Sequence, residues 1–196
     1  MATFQAIAAT GQAILGMLAD ACPKPEFAGA RFELYQVNNF RSPMQEGISL
    51  YLYRVSIGGA RRKLPPTVGP NGERYRPAIP LDLHYMISAW AQTAVKQQRL
   101  LGWAIRTLED LPIFPTTLLN HYGPETEIFR LGETVELIFD QMTLQDMNNL
   151  WSSTRVHPPL SVNYVARMVG IESIIEPIEG LPVQARVIEA EQVVSR

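Results

Sequence analysis

Residues 61–80 constrain this chain most: five prolines, two glycines and the turn pair Asn71-Gly72 fall within twenty positions. Proline lacks an N–H and fixes φ, so the stretch cannot be a regular helix or a central strand. It reads as a long loop with room for a small hairpin at Asn71-Gly72. Loops of this length are uncommon in compact domains unless they bind something. The rest of the chain must therefore build its core from segments on either side of an interruption.

Those segments suffice. With 196 residues, 46% of them hydrophobic, the chain can bury roughly 70% of its unfolded surface. Apolar residues run the whole length without a Gly/Ser linker, so one domain over residues 1–172 is expected, followed by a tail over 173–196. Ala6–Ala21 is apolar but lacks the basic flank of an export signal. Phe4, Ile7, Ala8, Gly11, Leu15 and Leu18 recur at helical spacing, which predicts an amphipathic helix. No other run reaches the ~18 apolar residues of a membrane span.

Arg31–Val37 and Ile48–Ile57 read as strands, the second apolar on both alternation classes as a central strand is. Ile79–Trp90 alternates, with Leu81, Leu83, Tyr85, Ile87 and Ala89 on one face and Asp82, His84 and Ser88 on the other. Ala94–Asp110 is a helix with Leu101, Ala104, Ile105 and Leu108 inward, and Pro112 closes it. After a turn near Thr116–His121, Thr134–Asp140 is a strand with Val135, Leu137 and Phe139 inward. A helix from Leu144 has Thr143 as its cap and Leu144, Met147 and Trp151 as its buried stripe. Leu160–Ile171 alternates again through Leu160, Val162, Tyr164, Ala166 and Met168. The expected fold class is α+β, a mixed or mostly antiparallel sheet flanked by helices on one face or both.

The residues argue against chemistry. Cys22 is the single cysteine, which excludes an internal disulfide and any multi-thiolate zinc site and fits a reducing cytoplasm. His84, His121 and His157 are far apart, and none has a second ligand at metal spacing. No phosphate loop, dinucleotide fingerprint or nucleophile elbow is present. Asp82 and His84 share a strand face, which keeps a small hydrolase as a remote alternative, and His84 is expected to be an ordinary exposed residue.

Charge is more informative. The chain carries a net −2, yet between Arg31 and Arg76 eight basic residues face three acidic ones, a local +5. Arg61, Arg62, Lys63, Arg74 and Arg76 concentrate this charge in the loop, where guanidinium groups can grip a partner's carboxylates or phosphates. The tail from Glu172 holds five acids and two arginines, with Val183, Ala185 and Val187 alternating as in a strand without a place in the core. Such a tail could extend a neighbour's sheet, and a basic middle with an acidic tail suits head-to-side contacts that close into a ring. The rival reading is a nucleic-acid or nucleotide-binding module stacking bases on Tyr51, Tyr53 and Tyr75.

An ordered set of segments carries a resemblance. Leu50-Tyr51-Leu52-Tyr53-Arg54-Val55, then Arg76-Pro77-Ala78-Ile79-Pro80-Leu81-Asp82-Leu83-His84-Tyr85, then Gln98-Arg99-Leu100-Leu101-Gly102-Trp103-Ala104-Ile105-Arg106, then Asn149-Leu150-Trp151-Ser152 and Leu160-Ser161-Val162-Asn163-Tyr164 resemble the cap or tube-terminator family of extracellular, phage-tail-like contractile injection systems. The likeness runs from about residue 5 to residue 172. Gly58-Gly59-Ala60-Arg61-Arg62-Lys63 and His157-Pro158-Pro159 depart from the family pattern. The resemblance implies a tail-terminator-like fold and a non-enzymatic subunit made in the cytoplasm. It implies a ring, six identical subunits, seated on the last ring of the inner tube protein and bound to the last layer of sheath protein. No cofactor, metal, membrane or nucleic acid is implied.

Overall fold

The computed structural model describes residues 4–58, 67–68, 74–123, 125, 127–152, 157 and 159–173. Its centre is a six-stranded mixed sheet. Strands β1 (Arg31–Tyr35), β2 (Gly47–Ile57), β5 (Ile79–Trp90), β6 (Ile113–Pro115), β7 (Thr134–Asp140) and β8 (Ser161–Ile171) lie in the order β1-β2-β5-β8-β7-β6. Only β1 and β2 are parallel, and every other neighbour pair is antiparallel. Between β2 and β5 a two-residue ladder, β3 (Thr67–Val68) with β4 (Arg74–Tyr75), brackets the Asn71-Gly72 turn signal. Pro80 lies inside β5, so the loop expected to end there ends before Ile79.

Helices α1 (Ala6–Ala21), α2 (Ala94–Asp110) and α3 (Thr116–His121) cover one face. Six alanines favour α1, and Pro23 directly after its Cys22 cap prevents its continuation. Its inward surface is broader than the predicted stripe: Ala6, Ala9, Ala13, Ile14 and Met17 are buried beside Leu15 and Leu18, while Phe4 and Ala8 are exposed. Small residues let the helix lie close to the sheet, as at Gly11, where an added Cβ would come 3.0 Å from the Leu34 side chain. Helix α2 is capped by Thr93, whose hydroxyl accepts from the Lys96 N–H. Leu100, Leu101, Ala104 and Leu108 face inward, and Ile105 is only partly covered. The turn expected at Thr116–His121 is the short helix α3, and β6 before it was not foreseen.

This face holds the main core: Ile48 and Leu50 of β2, Leu83, Tyr85 and Ile87 of β5, and Tyr164, Ala166 and Val169 of β8. Fully burying side chains of this size stabilises by about 1.5–3 kcal/mol each. Tyr85 donates its hydroxyl to the Ile7 carbonyl (3.3 Å) and Tyr164 to the Glu109 carboxylate (3.0 Å), which satisfies their polar ends.

The opposite face carries a second, aromatic cluster. A single turn of 3₁₀ helix (Val37–Arg41) brings Phe40 onto the sheet, where its ring meets Tyr35, Tyr51 and Trp151 edge-on at 5.3, 5.4 and 4.9 Å. Trp151 arrives on α4 (Leu144–Ser152), whose first turn is capped by Thr143: its hydroxyl accepts from the Asp146 N–H and donates to the Asp146 carboxylate. Leu144, expected in the buried stripe, is 81% exposed, because Met147, Leu150 and Trp151 set the face that α4 presents to the sheet.

Two irregularities break the expected alternation. The β2–β5 register shifts between Leu52 and Arg54, leaving Tyr53 as an extra residue. In β8 the register shifts opposite Leu81–Leu83, and Met168 adopts φ 64°. Past that bulge Val169, not Met168, turns inward, which is why Met168 is 55% exposed.

Candidate functional site

The basic loop leaves the sheet at the end of β2 and returns at the start of β5. Arg61, Arg62 and Lys63 lie outside the described residues. Arg74 falls in β4, and Arg76 stands exposed on the approach to β5. Beside them the sheet end is apolar: Val55, Ile57 and Ile79 are all partly or largely exposed, Ile57 at 58%. Arg76 is thus the one member of the predicted set whose side chain is placed, next to an uncovered hydrophobic margin of the kind protein partners cover.

Just inside this end, on the face opposite the main core, four side chains from three strands converge. His84 Nε2 lies 2.9 Å from Ser56 Oγ on β2, and His84 Nδ1 lies 3.5 Å from Asp140 Oδ2 on β7. The Tyr53 hydroxyl reaches the same Asp140 oxygen at 3.5 Å. Its phenol is pushed up to about 12, mainly by burial and then by the neighbouring Asp140 carboxylate. His84 is therefore not the exposed residue expected: its side chain is 16% exposed and engaged on both nitrogens.

The order Ser–His–Asp is that of a nucleophile, base and orienting acid. The setting differs, because Ser56 is the penultimate residue of an extended strand rather than part of a sharp strand-to-helix turn. The pairing weighed from sequence, Asp82 with His84, does not form, since Asp82 lies opposite Ser56 and near Gly58. The network ties β2 and β5 to β7 across the intervening β8. Sequence carried no sign of it, because the β2 bulge decides which residues flank His84.

Tyr51 and Tyr53 are not free stacking platforms. Tyr51 packs against Phe40 and Trp151, and Tyr53 tilts against His84 at 6.0 Å. Tyr75 falls in β4. Cys22 is buried, and burial pushes its thiol up, away from the thiolate a nucleophile needs. Among the described residues no three His, Cys, Asp or Glu side chains are placed to hold a metal, and no helix is long and apolar enough to cross a membrane.

A second surface feature lies at the β1 edge. A groove of about 380 Å³ runs between α1 and β1, walled by Leu15, Gly16, Ala19, Phe32 and Leu34, with Gln12 and Tyr122 also lining it. The Tyr122 ring fills the space a side chain at residue 16 would need, and its hydroxyl donates to Asp20 (2.5 Å).

No curated protein sequence matches this chain. Among the solved structures that share the fold are two of tube-terminating proteins. One is the PVC sheath/tube terminator of an extracellular contractile injection system in the extended state: 17% identity, TM-score 0.61, spanning 96% of this chain and 64% of that one. The other is the tube-terminating cap of the anti-feeding prophage: 15% identity, TM-score 0.59, 92% of this chain and 60% of that one. The chain thus spans less than two thirds of the length of either. The α+β class expected from sequence and its terminator-like form are both found. The family model described as the Pvc16 N-terminal domain matches residues 13–185, most of the sequence, and the chain belongs to that family.

Proposed function

We propose that this chain is a non-enzymatic structural subunit that closes the inner tube of a contractile phage-tail-like particle and anchors the last sheath layer. The family match over residues 13–185 carries the reading, and the likeness of fold to a sheath/tube terminator and a tube-terminating cap supports it. In this reading six copies, made in the cytoplasm, form a ring on the tube. Arg61, Arg62, Lys63, Arg74 and Arg76 dock on an acidic tube or sheath surface, and residues 173–196 reach across to a neighbouring subunit. The exposed margin of Val55, Ile57 and Ile79 beside Arg76 adds apolar area to such a contact.

Negative-stain imaging of particles from a strain lacking the protein, beside the wild type, tests the reading. Uncapped tubes or abnormal lengths support it. Normal, capped particles overturn it.

A further inference from the structure

The sheet has two edges, and they differ in what they offer. β6 is three residues long and ends in Pro115, while the Pro112 carbonyl before it already accepts from the Leu137 N–H at 2.7 Å. Short, proline-bearing edges resist further pairing. β1 is open. The Arg31 N–H donates to the Glu46 carbonyl at 3.1 Å on the β2 side. By the two-residue period, Arg31, Glu33 and Tyr35 turn toward β2, and Phe32 and Leu34 turn their N–H and C=O groups outward.

Beside this open edge lies the groove against α1. Its helix wall is Leu15 and Ala19, with the Tyr122 ring lying over Gly16. Gln12 also lines it, and its Oε1 is buried and has no hydrogen-bond partner. Leaving a buried acceptor unsatisfied costs about 1–3 kcal/mol, so the groove is complementary to something that brings a donor, such as a backbone N–H.

We propose that the Val183–Val187 segment of a second copy fills this groove as a seventh strand along β1. Its five residues match β1 in length, and Val183, Ala185 and Val187 alternate with Gln184 and Arg186. One row of small apolar side chains would thus lie in the groove and one polar row outside, with a backbone N–H available to Gln12. The partner is a second copy rather than the same chain because of where the tail starts. Ile171 is level with Ile79, whereas Tyr35 is level with Tyr51 and hence with Met86, further up the sheet and three strands across. The twelve residue steps from Ile171 to Val183 span at most about 40–43 Å when fully extended, and the turn-forming residues Pro177, Gly180 and Pro182 fall within them. This inference rests on the reading that identical subunits meet in a ring, and names the seat of the arm.

The test mixes two copies in a Cys22→Ser background, one carrying Leu34→Cys and the other Ala185→Cys, under mild oxidation. A disulfide-linked pair is expected. Ala19→Trp, which fills the groove, should lower its yield at least tenfold while circular dichroism stays unchanged. Amide exchange at Phe32 and Leu34 should be slow in the unsubstituted protein and at least tenfold faster in Val183→Asp/Val187→Asp. A link formed only within one chain carrying both cysteines, or no link with Phe32 and Leu34 exchanging as an open edge, overturns the proposal. Normal capping by a protein that shows no link would overturn this seat alone and leave the terminator reading standing.

Discussion

Gly47 cannot take a side chain without strain. Its φ is 144°, and an added Cβ would come 2.0 Å from the Arg31 carbonyl oxygen and 2.6 Å from the Met44 sulfur. The backbone strain and the clash act together at the first rung of the β1–β2 ladder. Gly47→Ala is expected to lower unfolding free energy in urea by at least about 3 kcal/mol; a loss under about 1 kcal/mol would show that the two strands part without cost. Tyr53 makes a pH-dependent contribution. Burial and Asp140 raise its folded-state pKa to about 12, above the about 10 of an exposed phenol in the unfolded chain. The fold therefore favours the neutral phenol, and this contribution is whole below about pH 10 and lost as pH rises toward about 12. In Tyr53→Phe, which has no proton to lose there, the melting temperature should fall less steeply between these values than in the unsubstituted protein. Equal slopes would place the alkaline loss on other tyrosines.

At the scale of elements, Phe40 decides whether α4 is held. It is the shared neighbour of Tyr35, Tyr51, Trp90 and Trp151, and among the described residues α4 buries only Trp151 fully. Phe40→Ala should destabilise by about 3–5 kcal/mol and shift tryptophan emission to the red as Trp151 meets water. Thr143→Ala, which removes only the cap, should cost about 1 kcal/mol without the shift. An unshifted spectrum in Phe40→Ala would mean that Met147 and Leu150 hold the helix without the ring. The legible elements were those long enough to show a period: α2 and β5 match their expected bounds, and β7 likewise. β6, α3 and the 3₁₀ turn are too short to show one, and Met168 broke the alternation at a bulge that depends on the partner strand. Sheet order, and with it the meeting of Ser56, His84 and Asp140, depends on pairing between distant segments, which no local pattern records. The basic residues of the loop were visible by simple count, whereas the partner proposed for them leaves no mark in a local pattern.

The whole molecule is polarised in charge. A +5 region from Arg31 to Arg76 and a tail carrying three more acids than arginines sit in a chain of net −2. An electrostatic contact of this kind steers association and weakens with salt, because screening lengths shrink from about 10 Å at 0.1 M to about 3 Å at 1 M. Replacing Arg61, Arg62, Arg74 and Arg76 by Glu moves the local charge from +5 to −3 within a stretch rich in proline and glycine. The variant should therefore keep the unsubstituted melting temperature to within a few degrees yet fail to restore capped particles of normal length in a strain lacking the protein. The matching Arg→Lys variant keeps the charge but loses the two-pronged grip of guanidinium on carboxylate. Partial capping, lost at lower salt than in the unsubstituted protein, is expected of it. If the Glu variant caps normally, the apolar margin of Val55, Ile57 and Ile79 would have to carry the contact, and Ile57→Asp would be the substitution that removes it.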